Sequence, residues 1–291
     1  MPPPRDDRDL LDAFHRQIRM GVGEGPARTR RERVGWVARH TSTDPEDRWA
    51  MVDCPEGLGD DPDAVIAGER DHFRALGLPL EWKTYSYDDP PDLGDRLVRA
   101  GFVKEDDEAL TLGDLAVLAA AAEAPLEVPA GITIRESRTR GDARRTAELY
   151  ELVWGGAWGR ADRDASGDED PLPPGDPTEL KLIAQASPSG DVVCAGRVTL
   201  APGTDFAGLW GGSTHPDWRR QGLFRALLAE RARWAMSRGF TLARVDASPD
   251  SEPILRSLGL RRVATTSPYT LPRASPDSAL TPPGPDATSG R

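Results

Sequence analysis

The chain of 291 residues is poor in several things, and each shortage excludes something. It has two cysteines, Cys54 and Cys194, far apart and without a partner cluster. That excludes a disulfide framework and a cysteine-rich zinc site. No apolar run approaches the roughly 18 residues that a membrane-spanning helix needs. The opening Met1-Pro2-Pro3-Pro4-Arg5-Asp6-Asp7 lacks the apolar core of a secretory signal, so the expected setting is cytoplasmic, with no membrane partner. Lysine is scarce: Lys83, Lys104 and Lys181 are the only three among 37 basic residues. Together with abundant Ala, Gly, Asp and Pro, this is the composition of a GC-rich bacterial genome. Excess positive charge is lacking too, the formal net charge being −11. The first 128 residues carry 28 Asp+Glu against 16 Lys+Arg, and the remainder 20 against 21. Phosphate backbones want clustered Lys and Arg, so nucleic acid is not an expected partner.

What is present concentrates in one stretch, Thr214-His215-Pro216-Asp217-Trp218-Arg219-Arg220-Gln221-Gly222-Leu223-Phe224-Arg225-Ala226-Leu227-Leu228. An extended, glycine-rich segment runs here into the first turn of an amphipathic helix. A helix start offers backbone N–H groups without intrahelical acceptors and the positive end of a dipole. Gly222 lets amides approach phosphate oxygens with no Cβ in the way. Arg219 and Arg220 add fixed positive charge. The stretch reads as a pyrophosphate cradle. No Gly-Lys-Ser/Thr follows it, which argues against a nucleotide P-loop.

This stretch resembles motif A of the Gcn5-related N-acetyltransferases, the GNAT superfamily, whose pattern is Arg/Gln-x-x-Gly-x-Gly/Ala between the fourth strand and the third helix. The lead-in 214–218 resembles the family's Val-His-Pro-Asp-Tyr. Phe224 is the departure, where Gly or Ala is commoner. The resemblance implies acetyl-CoA, or another acyl-CoA, as co-substrate, and no metal. It assigns Gly212, Ser213 and Thr214 to the pantetheine arm. Arg219, Arg220, Gln221, Gly222, Leu223, Phe224 and Arg225 fall to the pyrophosphate, and Ser248 to the neighbourhood of the CoA sulfur.

The rest of the chain divides into two halves that echo each other. Apolar spacing predicts helices over 9–20, 62–76, 93–100, 142–154, 223–238 and 252–258, and the Ala-rich stretch 116–129 reads as a helix plus linker between domains. Alternation predicts strands over 34–39, 49–52, 80–87, 132–135, 180–186, 192–200, 206–214 and 241–246, with 103–112 as an extended or hairpin segment and 261–271 as another extended piece. Asp88, Pro91, Asp92, Leu97 and Gly101 recur 158 positions later as Asp246, Pro249, Asp250, Leu255 and Gly259, an internal repeat. The first half lacks the cradle pattern and carries Gly57-Leu58-Gly59-Asp60-Asp61-Pro62-Asp63 instead, where carboxylates would repel a pyrophosphate. The expected fold is α/β: two tandem GNAT-like domains, each a mixed, mostly antiparallel twisted sheet flanked by helices. Residues 1–125 form a degenerate domain and 130–273 a GNAT acetyltransferase domain. Residues 155–177 read as a mobile loop and 274–291 as a disordered tail.

The resemblance implies transfer of an acyl group to the amine of a small molecule or an exposed amino group, through a ternary complex. A backbone N–H near Gly211 or Gly212 would stabilise the oxyanion, which makes Gly212 a catalytic candidate. The family's usual acid, a Tyr four residues before the Gly, is Leu255 here and Leu97 in the first half. Tyr269 is the one tyrosine after the cradle and is the candidate acid; its alternative is a half-buried aromatic. Asp246 is the nearest candidate base, with a turn-capping role as its alternative, and His215 and Glu179 are further choices. Trp154 and Trp158, with Asp162, Asp164, Asp168, Glu169 and Asp170, populate the expected acceptor region, where aromatics and carboxylates suit a cationic amine. The alternative function is a CoA-binding or protein-interaction module without turnover. A monomer or a homodimer is compatible with the sequence.

Overall fold

The computed structural model of the chain describes residues 5–45, 48–123, 128–155, 168–173 and 175–272. Trp158, Asp162, Asp164, most of the expected loop and the expected tail lie outside the described residues.

Helix α1 (Asp7–Phe14) is opened by Asp6, whose carboxylate accepts from the Asp9 amide, and is prolonged by a wider π-helical turn over His15–Arg19. Four strands follow: β1 (Gly23–Glu24), β2 (Thr29–Val34), β3 (Val37–Ser42) and β4 (Ala50–Asp53). The sequence pattern puts one strand over 34–39. The structure makes a hairpin there, pairing Val34 with Val37, because Gly35 takes φ +56 and turns the chain. Next come α2 (Pro62–Ala75), β5 (Leu80–Tyr85), α3 (Leu93–Arg99), β6 (Val103–Lys104), β7 (Glu108–Asp114) and α4 (Leu115–Glu123). The second half runs β8 (Ile132–Glu136), α5 (Arg140–Trp154), β9 (Glu179–Ala186), β10 (Val192–Leu200) and β11 (Phe206–Thr214). It ends with α6 (Leu223–Met236), β12 (Leu242–Ala247), α7 (Glu252–Ser257) and β13 (Arg261–Leu271). Among the described residues no helix is long and apolar enough to cross a membrane.

All thirteen strands join one mixed sheet in the order β1-β2-β3-β4-β5-β13-β7-β12-β11-β10-β9-β8, with β6 beside β13. The two halves exchange their last strands. β7 pairs antiparallel with β12, β13 pairs antiparallel with β5, and β7 and β13 pair with each other at the centre. The division expected at 125–130 therefore follows the chain but not the sheet.

The cores record the exchange. Under α2 and α3, the first-half core of Leu58, Ile66, Phe73, Trp82 and Leu97 takes in Tyr269 and Leu271. Under α6 and α7, the second-half core of Leu209, Leu228, Ala232, Val245 and Leu255 takes in Ala109 and Leu115, Leu118 and Ala122 of α4. On the opposite face α1 straddles the seam, packing Leu10, Phe14 and Ile18 onto Leu110, Leu112, Phe206, Leu242 and Ala264. Alternation along β7 explains the split: Leu110 and Leu112 face α1, and Ala109 faces the other layer.

The sequence repeat survives only in part. Leu97 and Leu255 are both buried in short helices, and Gly101 and Gly259 both take φ +94 just beyond them. Asp88 and Asp246 are not structural counterparts. Asp88 lies in the loop after β5, accepts from the Tyr85 amide at 2.9 Å and pairs with Arg19 at 2.7 Å. Asp246 lies inside β12. The connection from β5 to α3 is longer than that from β12 to α7, so the sequence register slips there.

Two tests follow from the exchange and from the buried polar residues. Residues 128–291 expressed alone leave the β12 edge unpaired and strip α4 from the core, so they should aggregate or stay unfolded. Co-expressed with residues 1–127 they should give a folded complex by gel filtration and circular dichroism. Autonomous folding of the second half would contradict the exchange. His40 on β3 is buried, and burial, with the nearby arginines, pulls its pKa from 6.5 down to about 3. Above pH 6.5 the imidazole is neutral in both the folded and unfolded chain. As pH falls below that, the unfolded chain takes up a proton that the folded chain refuses, so stability is lost at about 1.4 kcal/mol per pH unit. His40→Leu should flatten that slope in denaturant titrations between about pH 6 and pH 4; an unchanged slope would show that His40 is not the group responsible.

Candidate functional site

Parallel strands β11 and β12 pair only over 206–208 and 242–244. Beyond that point β11 stays with β10 as far as Thr214, and β12 stays with β7 as far as Ala247. The two strands therefore diverge into a V, and the chain leaving β11 leads to the start of α6.

The β11 wall of the V carries a bulge. Its register with β10 shifts between Ala195 and Arg197, and Gly211 takes φ +61. Buried Arg231 of α6 pins the bulge from beneath. Its Nη1 donates to the carbonyls of Arg197 and Trp210, each at 3.2 Å, and its Nε to the Leu227 carbonyl at 3.1 Å. Burial lowers its pKa to about 10, which leaves it cationic at neutral pH. A peptide unit is planar and trans, so holding the Trp210 carbonyl toward Arg231 turns the Gly211 N–H the opposite way.

Close neighbours require glycine at both bulge positions. A Cβ on Gly211 would lie 2.7 Å from the Tyr150 hydroxyl, and one on Gly212 would lie 2.6 Å from the Phe224 ring. Phe224 also packs against the second-half core. The hydroxyl of Tyr150, on α5, has no hydrogen-bond partner among the described residues. Burial raises its pKa, so the phenol keeps its proton at neutral pH. Further along β11, Ser213 accepts from the Trp154 indole at 2.7 Å, and Thr214 Oγ1 meets Cys194 Sγ at 3.2 Å.

The cradle follows. His215 Nδ1 accepts from the Asp217 amide at 3.3 Å, so His215 caps the short turn Pro216–Trp218. Arg219 donates to the Thr214 carbonyl at 3.3 Å and Gln221 to the Asp217 carbonyl at 3.1 Å, which folds the loop on itself. Arg220 is exposed, with φ +62. Gly222, with φ +82, is the residue before α6 and offers no side-chain cap. The amides of Leu223, Phe224 and Arg225 thus stand in the first turn without intrahelical acceptors. Arg225 turns away, donating to the Ala121 carbonyl of α4 at 2.6 Å. Helix α2 in the first half is the opposite case. Asp61 caps it, its carboxylate accepting from the Ala64 amide at 3.1 Å, with Asp60 and Asp63 beside it.

Other expected residues lie elsewhere. Tyr269 pairs across strands with Trp82, is buried in the first-half core and presses its hydroxyl end on Gly94. Strand exchange carries it two strands away from β12, so it is not beside the V. Asp246 does lie on the β12 wall, but its carboxylate is held by Lys83 at 2.6 Å, and Lys83 also meets Glu108 at 3.1 Å. That ion pair occupies the Oδ2 oxygen of the carboxylate. Ser248 follows β12 and braces the start of α7 through Ser251 at 3.2 Å. Asp168 is taken by Arg144 and Arg145 at 2.8 and 2.9 Å. The sequence places Tyr150 only within the helix expected over 142–154; its nearness to Gly211 is purely tertiary.

No protein-family model matches the chain, and no curated protein does. Solved structures do match. A GCN5-related N-acetyltransferase from Kribbella flavida superposes with a TM-score of 0.56 at 18% identity, over 94% of this chain and 96% of that one. A tandem GNAT protein from the clavulanic acid biosynthesis pathway gives 0.53 at 14% identity, over 92% and 96%. A functionally unknown conserved protein from Staphylococcus epidermidis ATCC 12228 gives 0.55 at 11% identity, over 84% and 93%. The chain has the fold of the GCN5-related N-acetyltransferases in its tandem form.

Proposed function

We propose that the protein is an acyl-CoA-dependent N-acyltransferase, with acetyl-CoA as the first donor to test, working by direct transfer through its second half. The observation that carries this reading is the uncapped, glycine-opened start of α6 beyond the V between β11 and β12. The neighbour from Kribbella flavida, a GCN5-related N-acetyltransferase, supports it.

The residues suit the donor. Amides of Leu223, Phe224 and Arg225, with the charges of Arg219 and Arg220, would hold the pyrophosphate at the Gly222 turn. Gly212, Ser213 and Thr214 would bind the pantetheine arm as an added strand. Phe224 narrows that groove where the family has Gly or Ala. When bound, acyl-CoA supplies a thioester.

The Gly211 N–H, turned away from Arg231, would take up charge on the thioester oxygen. A neutral amine forms the C–N bond as the C–S bond breaks, and its surplus proton leaves to water. Tyr150 replaces Tyr269 as the donor of a proton to the departing sulfur, supported by its closeness to Gly211 and its retained proton. The first half is cofactor-incompetent in this reading, because Asp61 already fills the start of α2 and its neighbours would repel phosphate.

A binding module without turnover is the second reading, favoured by Leu255 at the family's tyrosine position and by the capture of Asp246 by Lys83. Release of CoA thiol over a broad amine panel separates the two: steady turnover above hydrolysis excludes the module. Gly222→Glu should lower acetyl-CoA affinity about 100-fold or more while circular dichroism is unchanged, since it sets a negative side chain against phosphate. Tyr150→Phe should slow turnover by about 10²-fold with the KM for acetyl-CoA unchanged. An unchanged rate would remove Tyr150 from the mechanism.

A further inference from the structure

Buried arginines in this protein generally have partners. Arg19 pairs with Asp53 and Asp88, Arg39 with Glu69, and Arg231 with three carbonyls. Arg31 and Arg244 do not. Arg31 on β2 is 7% exposed, Arg244 on β12 is largely covered, and the Nε of each is buried with no hydrogen-bond partner. Among the described residues neither guanidinium has an acidic partner or an acceptor.

The two belong to different halves and lie on the α1 face of the sheet, Arg31 against Gly21 and Arg244 on the same side of β12 as Leu242. Arg31 lies under the chain leaving α1, where a Cβ on Gly21 would be 2.9 Å from its Nη1. That segment is fastened to the second half. Gln17 exchanges hydrogen bonds with Asp205 at 2.9 and 2.7 Å, and the Ala27 amide donates to Thr178 Oγ1 at 3.0 Å. Thr178 precedes Glu179, which pairs with Thr199, and Thr199 accepts from the Trp210 indole at 2.8 Å. The Trp210 ring lies over Gly208, with the Arg244 guanidinium 5.0 Å from its centroid. Arg244 is the last β12 residue paired with β11 before the V opens. The carboxylates whose charge reaches Arg244 already have cations of their own, Asp246 in Lys83 and Asp53 in Arg19, and His40 opposite Arg31 is kept neutral by burial. Burial, and after it the charge of Arg244, hold Arg31 below the usual arginine range.

Two desolvated cations without an anion are costly, and the cost persists where a ligand repays it. We infer that Arg31 and Arg244 together bind the carboxylate of the acyl acceptor, so that the acceptor is an amino acid or a related small amino-carboxylate. This rests on the acyltransferase reading and narrows it. A carboxylate held beside Arg244 at the apex of the V leaves the amine within reach of the bulge next to Trp210. A guanidinium fork matches a planar carboxylate.

The test is calorimetry on the full chain, with and without acetyl-CoA. The titrants are the common L-amino acids and the matching amines lacking the carboxylate, such as L-phenylalanine against phenethylamine and L-lysine against cadaverine. At least one amino acid should bind and its decarboxylated partner should not. Arg31→Met and Arg244→Met should each weaken that binding about tenfold or more. Arg31→Met should also raise the melting temperature of the ligand-free protein, because it removes an unpaired buried charge, whereas a structural arginine would lower it. Equal binding of the amines, equal competition by inorganic phosphate, or unchanged affinity in both variants would overturn the inference. Acetyl-CoA binding with no amino acid binding would overturn it alone. Amino acid binding with no acetyl-CoA binding would instead strike at the acyltransferase reading.

Discussion

The antiparallel pair of β7 with β13 at the centre of the sheet is the contact on which the rest of the fold depends. Each of these strands ends one half of the chain and completes the sheet of the other. Removing either would open an edge beside β5 or β12 and strip apolar residues from both cores. Helix α1 covers the seam on one face, and its buried Arg19 is tied to Asp53 and Asp88. The seam is therefore polar as well as apolar, with Lys83 of β5 reaching across to Asp246 of β12.

That arrangement also explains why the two halves are unequal. Both have a parallel strand pair, β4 with β5 and β11 with β12, joined through a long helix. In the second half the helix starts at an uncapped glycine. In the first half it starts at an aspartate whose carboxylate already accepts from the Ala64 amide of that helix. A single change in capping chemistry separates a helix start open to an anion from one that is closed. Arg231, beneath the bulge of β11, adds the second difference by fixing the direction of the Gly211 peptide.

Much of this was legible in the sequence because it is local. The cradle at Arg219 to Gly222, the long helix behind it and the closing glycines Gly101 and Gly259 each follow from short-range patterns. The strand exchange was not, since alternation along β7 and β13 says nothing about which neighbour each strand pairs with. That loss misplaced Tyr269, which the sequence puts after the cradle and the fold puts in the other core. The matching of Asp88 with Asp246 failed because connections of unequal length shifted the register. Tyr150, Arg31 and Arg244 became visible only through tertiary neighbours: a glycine that a Cβ would block, and two guanidiniums left without anions.

In the proposed reading one of the two halves is open to acyl-CoA and the other is closed. Calorimetric titration of acetyl-CoA into the full chain tests it directly. The account predicts one site per chain. Two sites would contradict the closure of the first half by Asp61, and no binding would contradict the open helix start at Gly222.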